Sequence, residues 1–311
     1  MKTYIFDPIH DLPLKEAESL GEVVKWDEEQ INNCSDAEAI IVRVTKIDKQ
    51  KIDQMPKLKI IAKHGIGTDN IDLDYAKEKG IIVTNTPTAN MVSVAELAVT
   101  LALCCARNII KSNNMTKKGV DSLAPKELTG MEISGKVVGL IGTGRIGQKI
   151  GKIFQNGFGL EVHCFDPFIT EEKANELGFK KFENLIDMLK EVDIVSISVP
   201  LTDSTKNLIT EKEFDSMKNN SILVNTARGK IVNEKALYDA LINNKIKSAA
   251  MDVFEVEPPE IDNPLLSLNN FIATPHIGAA TEEALIKMGM TAVEEINMFK
   301  NNKTPRYIVN K

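Results

Sequence analysis

The sequence predicts an α/β protein made of two doubly wound parallel-sheet domains, and three observations carry that prediction. Runs of consecutive apolar residues recur along the chain, too continuous for strands with one solvated face and suited to strands buried on both. Polar segments of helical length separate most of these runs, the alternation that produces βαβ crossovers. The chain has 311 residues, more than one compact core usually takes in.

The elements follow in order. Residues 4–6, 39–42, 58–61 and 81–83 read as strands bounded by Asp, Pro or Gly, and residues 72–79 as a crossover helix ended by Gly80. From Met91 to about Asn113 the pattern becomes one long helix, with Ala95, Ala98, Val99, Ala102 and Ala106 leaving one side small enough for close packing. Residues 115–130 are polar, contain Gly119 and Pro125, and read as a loop. A second series begins at Lys136, with strands at 137–141, 161–165, 193–199, 221–225, 248–253 and 271–274. Five or six near-parallel strands with helices between them make a second doubly wound sheet. Residues 282–300 read as a terminal helix and 304–310 as an extended tail.

Composition narrows the function. Lys and Arg number 38 against 44 Asp and Glu, a net charge of −6, so no basic field exists to hold a nucleic acid. An anionic ligand must therefore meet a few local cations. The longest apolar run, residues 97–106, is too short to span a bilayer, and the opening MKTYIFD reads as a strand rather than a signal peptide. Cys34, Cys104, Cys105 and Cys164 form no C-x-x-C pair and no metal spacing, which predicts buried structural thiols in a reducing compartment and no metal. The expected setting is cytoplasmic, without membrane contact.

Two constellations carry chemistry. The apolar run 137–141 leads into Gly142-Thr143-Gly144-Arg145-Ile146-Gly147 and then a helix, a G-x-G-x-x-G in the context a dinucleotide needs. Gly142 permits the tight turn, Gly144 lets backbone N–H groups approach a pyrophosphate, and Gly147 lets helix pack on strand. Asp166, ending the next strand, would accept bonds from ribose hydroxyls and repel a 2′-phosphate. No Arg follows it closely, so NAD is expected over NADP.

The second constellation lies beyond the carboxyl ends of three later strands, the edge where open α/β sheets bind ligands. Arg228, Glu257 and His276 each follow one of them. Reduction of a 2-oxo acid needs a two-pronged anchor for the carboxylate, which a guanidinium supplies. It needs a proton donor poised near neutral pH, which imidazolium supplies. It gains from a carboxylate that keeps the imidazole charged and oriented. Each residue alone has a bland reading as a turn or solvated loop side chain; their joint placement around a dinucleotide fingerprint favours catalysis.

The chain resembles the D-isomer-specific 2-hydroxyacid dehydrogenases, nearest the phosphoglycerate dehydrogenase and hydroxypyruvate reductase branch. The resemblance rests on the stretches 64–72 (HGIGTDNID), 85–87 (NTP), 94–96 (VAE), 142–147, 225–229 (NTARG), 251–254 (MDVF), 257–259 (EPP) and 275–278 (PHIG), in the family's order over nearly the whole chain. It implies a Rossmann NAD-binding domain, residues 100–282, inserted into a flavodoxin-like substrate domain, residues 1–99 with 283–311, hinged on the long helix. It implies Arg228, Glu257 and His276 as catalytic residues. It also implies cofactor contacts at Thr86, Arg145, Ile146, Pro200, Thr226, Ala227, Asp252 and Gly278, and substrate contacts along Lys63, His64, Gly65, Ile66 and Gly67. A homodimer joined through the cofactor domain, with residues 115–130 in the contact, is expected on the same ground.

The resemblance leaves the substrate open. Lys63 stands where phosphoglycerate dehydrogenases commonly carry Arg, and could pair with a second anionic group. The family's aromatic residue shortly after Gly119 is replaced by Val120, and the chain stops at Lys311 without the regulatory domain some phosphoglycerate dehydrogenases append. 3-Phosphoglycerate, and with it serine biosynthesis, leads over hydroxypyruvate, glyoxylate, lactate and sulfolactate; formate does not fit a carboxylate at Glu257. A different class, an NAD(H)-sensing binding protein of the corepressor type, shares the fold but carries long extensions that this chain lacks.

Overall fold

In the computed structural model, which describes residues 1–119 and 126–311, the chain divides into two units: Met1–Ser93 with Ala279–Lys311, and Val94–Gly278. The first unit runs β1 (Thr3–Ile5), α1 (Asp11–Leu20), β2 (Val23–Val24), β3 (Ala39–Val42), α2 (Lys49–Asp53), β4 (Ile60–Lys63), α3 (Leu73–Glu78) and β5 (Ile82–Thr84). Its five strands are all parallel, in the order β2-β1-β3-β4-β5. That order places a topological switch point between β1 and β3, as in flavodoxin-like sheets. Strand β4 begins two residues later than the apolar run because Leu58 closes a turn, its N–H donating to the Met55 carbonyl at 3.0 Å. Helix α1 left little mark in the sequence, since only Pro13 and Ala17 of its ten residues are buried.

The second unit starts inside α4 (Met91–Ala106), continues through α5 (Ile109–Lys117), and enters its sheet at β6 (Val137–Ile141). Thereafter come α6 (Arg145–Phe158), β7 (Glu161–Phe165), α7 (Glu171–Leu177), β8 (Phe179–Lys181), α8 (Leu185–Glu191), β9 (Ile194–Ile197), α9 (Glu211–Ser216), β10 (Ile222–Asn225), α10 (Glu234–Ile242), β11 (Ser248–Met251) and β12 (Phe271–Ala273). Seven parallel strands lie in the order β12-β11-β10-β9-β6-β7-β8. Strand β8 is a three-residue edge strand with polar positions and no apolar run to mark it, so the sheet has one strand more than the six expected. The switch point falls between β6 and β9.

The single long helix expected from Met91 to about Asn113 is two helices. Asn108 adopts a left-handed backbone (φ 52°), which asparagine tolerates better than most residues, and its side-chain amide donates to the Thr129 carbonyl at 3.2 Å. The Met131 N–H takes the Ala106 carbonyl at 2.7 Å, so the returning chain caps the first helix. Residues 115–117, expected in the loop, are helical, and Lys126–Leu128 form a short 3-10 turn. Val120 and Pro125 lie outside the described residues. The small face of α4 packs as expected: Ala95, Ala98, Val99, Ala102 and Ala106 join the core that holds Ile150 and Phe154.

The chain returns to the first unit through α11 (Glu282–Lys300), whose Ala292, Val293 and Ile296 cover one face of the five-stranded sheet with Ile5, Ile41 and Ile60. Its fully buried Glu295 accepts from Arg306 Nε and from the Tyr307 N–H, both at 3.0 Å, and so fixes the tail. Cys34, Cys105 and Cys164 are buried, and burial pushes the Cys105 thiol up to about 12 and Cys164 to about 11. Cys104, expected to be buried too, is only half-buried because it faces outward from the same helix that buries Cys105. Among the described residues no single helix is long and apolar enough to cross a membrane, and no cluster of side chains could hold a metal ion.

Candidate active site at the carboxyl edge of the seven-stranded sheet

Beyond β6 the chain makes the turn that the glycines allow. Gly142 has φ 91°, and a Cβ there would sit 2.6 Å from Val199 Cγ1. A Cβ on Gly147 would lie 2.1 Å from the Gly142 carbonyl oxygen, so only glycine lets α6 approach this closely. Gly144 is different: it is exposed and nothing lies within 4 Å of where its Cβ would be. It also occupies the N-cap of α6 without a side-chain cap, so the first-turn N–H groups point into open space at the positive end of a 14-residue helix. Arg145 is exposed and Ile146 half-buried beside them.

Asp166, at the end of β7, sits next to this turn. One carboxylate oxygen accepts from the Thr143 N–H at 2.7 Å and the Thr143 hydroxyl at 2.8 Å, the other from the Phe168 N–H at 2.9 Å. It therefore braces the glycine loop. Beyond β9, the neighbour of β6, and beyond β10, the next strand over, Ser198 Oγ and Thr226 Oγ1 are buried without a hydrogen-bond partner among the described residues. Pro200 is exposed, its carbonyl accepting from Thr205 Oγ1 at 2.6 Å, and the Ala227 N–H turns back to Asn225 Oδ1 at 3.0 Å. An open glycine, an uncapped helix start and two orphaned hydroxyls around one switch point fit a pyrophosphate and its attached riboses.

The three candidate catalytic side chains meet on the same edge. His276 follows β12 in a left-handed conformation (φ 53°), uncommon for a residue other than glycine and a mark of functional sites. Its N–H donates to the Asp252 carbonyl at 2.8 Å and its Nδ1 lies 2.7 Å from Glu257 Oε2. With the proton on Nδ1 directed at that carboxylate, Nε2 is the nitrogen left to meet a ligand. Glu257 Oε1 accepts from the Phe254 N–H at 3.1 Å. Burial alone pushes the Glu257 carboxyl up, but the His276 hydrogen bond and charge, the Phe254 amide and the nearby Arg228 together hold it below the ordinary carboxylate value. Arg228, beyond β10, is half-buried, with Nη1 donating to the Ala227 carbonyl at 2.7 Å and its own carbonyl taken by Asn225 Nδ2 at 2.8 Å.

Asp252 plays a part the sequence did not show. It is buried, and its two oxygens accept from Thr274 Oγ1 (2.6 Å), the Ile277 N–H (2.8 Å) and the Gly278 N–H (2.8 Å). It ties down the loop that carries His276. Only the spacing of Asp252 after a strand was visible beforehand; the partners lie more than twenty residues away.

In the first unit the expected substrate loop lies beyond β4. Lys63 is buried and its ammonium turns inward, to the Arg43 carbonyl and to Asn70 Oδ1 at 2.5 Å. As ligand for a second anion it would have to leave these partners. His64 is buried with Nε2 3.3 Å from the Leu285 carbonyl, and burial, helped by Arg43, lowers it to about 4, so it is neutral. Thr86, fully buried, accepts from the Gly65 N–H (3.1 Å) and donates its own N–H to the Gly65 carbonyl (2.9 Å). The N–H groups of Ile66 and Gly67 make no hydrogen bond to another described residue. Asp7, which sequence reasoning passed over, is buried beyond β1 and accepts from the N–H groups of Arg43, Val44 and Thr45 at 2.6, 3.0 and 3.1 Å.

The fold and the glycine turn define a dinucleotide-binding domain of the doubly wound class. Comparison with known proteins makes this specific. The family model for the D-isomer specific 2-hydroxyacid dehydrogenase, NAD binding domain, matches residues 99–278. The D-3-phosphoglycerate dehydrogenase of Methanocaldococcus jannaschii is 41% identical over 315 residues, covering 100% of this chain and 59% of that protein. The chain thus spans under two thirds of that relative's length. The hydroxypyruvate reductase of Thermotoga maritima is 45% identical over 264 residues, 84% of each chain. Among solved structures, a D-lactate dehydrogenase from Aquifex aeolicus with NAD and lactic acid superposes with a TM-score of 0.87 at 30% identity, covering 100% of this chain and 99% of that one. The chain belongs to the D-isomer specific 2-hydroxyacid dehydrogenase family and carries its NAD-binding domain.

Proposed function

We propose that the protein is an NAD-dependent oxidoreductase interconverting a small 2-oxo acid and its D-2-hydroxy acid. The observation that carries this reading is the 2.7 Å contact between His276 Nδ1 and Glu257 on the sheet edge that also presents Arg228 and the glycine turn. Bound NADH supplies the hydride that reaches C2. Arg228 pairs with the substrate carboxylate through two parallel hydrogen bonds and sets the register of C2. His276 Nε2 donates a proton to the carbonyl oxygen, giving the alcohol, while the Glu257 carboxylate holds the imidazolium that must form first. In oxidation neutral His276 takes the hydroxyl proton back. Asp166 accepts from ribose hydroxyls, which favours NAD over NADP.

Relatives named for phosphoglycerate, hydroxypyruvate and lactate support testing those acids and their 2-oxo partners first. 3-Phosphoglycerate and the serine pathway remain our leading choice, and a cytoplasmic homodimer our proposed form. The test follows NADH absorbance with 3-phosphohydroxypyruvate, hydroxypyruvate, glyoxylate and pyruvate. Turnover of at least one is expected; NADH binding with no turnover across the panel would replace the enzyme by a cofactor-sensing protein.

A further inference from the structure

Glu257 is carried on an exposed stretch. Between buried Phe254 and fully buried Leu265, residues 255–258 and 260–262 are all exposed, Ile261 to 99%. Such a segment has few contacts to fix it, yet it must hold a carboxylate within hydrogen-bonding distance of His276.

One side chain secures both of its ends. Glu234, the first residue of α10, accepts the Glu255 N–H on Oε1 at 2.6 Å and the Asn263 amide Nδ2 on Oε2 at 2.8 Å. The attachment is mutual at one end, because the Glu234 N–H donates to Glu255 Oε1 at 3.3 Å. Asn263 in turn caps the short helix that follows, accepting from the Leu265 N–H at 3.0 Å. On the other side α10 follows closely on Arg228: the intervening Gly229 packs so tightly on the Phe254–Glu255 backbone that a Cβ there would lie 1.9 Å from the Phe254 carbonyl carbon. The segment bearing Arg228 and the segment bearing Glu257 are thereby joined at one place, and Glu234 is the polar group at that place.

We infer that Glu234 is a positioning residue for the reaction: by clamping Glu255 and Asn263 it holds the exposed segment so that Glu257 stays against His276. This rests on the reading of Glu257 and His276 above. The groups facing the His276 site are Glu257 and Arg228 from the two neighbouring loops and Asp252, whose carboxylate accepts from the Thr274 hydroxyl before the histidine and from the Ile277 and Gly278 N–H groups after it. With the clamp removed, Glu257 spends part of its time away from the imidazole, and the charged form of His276 loses part of its support.

The test compares wild type, Glu234→Ala, Glu234→Gln and Glu255→Ala in the reductive direction across pH. Glu234→Ala is expected to move the fall of kcat/KM at rising pH to lower pH, with NADH affinity unchanged. Glu234→Gln, which keeps one acceptor, should move it less. Glu255→Ala keeps the backbone N–H that Glu234 binds and loses only the long 3.3 Å contact from the Glu234 N–H, so it should move the profile less than Glu234→Ala. A uniform loss at every pH, or an unmoved profile in Glu234→Ala, overturns the inference and leaves the assignment of His276 standing. If no 2-oxo acid is turned over, the functional reading falls instead. Titration of the His276 ring protons by NMR still reads the clamp in that case; a titration unmoved in Glu234→Ala overturns it, and one moved to lower pH supports it. The chain has only four histidines to assign.

Discussion

The two sheets present their carboxyl edges in opposite ways. Both are parallel and both have a switch point where strand order reverses. On the seven-stranded sheet the three candidate catalytic groups face outward beside a buried scaffold carboxylate, Asp252: His276 and Glu257 are partly exposed, Arg228 is half-buried, and the Gly144 turn is open. On the five-stranded sheet the polar groups turn inward. Asp7, Lys63 and Thr86 are buried, and each holds backbone of a neighbouring loop. The first edge adds outward side-chain chemistry to such scaffold; at the second these side chains hold backbone in place. An acid group on a strand end can thus serve as reagent or as scaffold, and burial with multiple N–H partners separates the two.

The sharpest way to break this contrast is at His276. Asparagine tolerates the left-handed backbone there, so His276→Asn removes the proposed proton donor with little added strain. Turnover should fall by about 10²–10⁴-fold, with NADH binding by fluorescence near wild type. Near-native turnover would show that the proton comes from elsewhere. Next is Arg228→Lys, which keeps the charge and loses the paired geometry. A charge-assisted hydrogen bond contributes about 1.5–3 kcal/mol, so kcat/KM for the acid should drop by roughly 10- to 100-fold at unchanged NADH affinity. An unaltered KM would remove Arg228 as the carboxylate anchor.

The contrast predicts a different signature for Lys63. Lys63→Met leaves the Arg43 carbonyl and Asn70 Oδ1 without their buried donor, at a cost of about 1–3 kcal/mol for each group left unpaired. A lower Tm is expected in thermal unfolding, whereas His276→Asn should barely move it. Were Lys63→Met as stable as wild type and selectively poor with phosphorylated acids, Lys63 would be an anion ligand after all.

These outward groups were the legible part of the site. Arg228, Glu257 and His276 follow apolar runs that read as strands, and the position of a strand end is a local property of the chain. The same holds for β6, β7 and α11, whose limits coincide with those expected, and for the glycine turn, whose chemistry lies within six residues. The scaffold was not legible. Asp7 with residues 43–45, Asp252 with Thr274 and Gly278, and Glu234 with Asn263 pair groups 20 to 40 positions apart, and nothing local marks a carboxylate as belonging to a distant N–H. The inward turn of Lys63 was hidden for the same reason, since a lysine at a strand end looks alike whether it faces solvent or Asn70. The break at Asn108 was missed because it depends on the returning residues 129–131.

The smallest expected effect lies at Glu257, and it tests whether outward groups act as a set. Glu257 stays ionised into the acid range because its carboxyl is held below the ordinary carboxylate value. Any stability the pair adds is therefore present above that value and lost only as pH falls through the lowered one. At neutral pH the carboxylate is charged and favours the imidazolium that reduction requires. Glu257→Gln keeps the shape and an acceptor for Nδ1 while removing the charge, so His276 gives up its proton more easily. The fall in reductive kcat/KM at rising pH should then move to lower pH, modestly because the pair is partly exposed. The rise of oxidative turnover with pH should move the same way, since it needs the neutral ring. A pH profile identical to wild type in both directions would mean that Glu257 orients the ring without tuning it, and that the outward edge holds separate residues rather than a coupled acid and its partner.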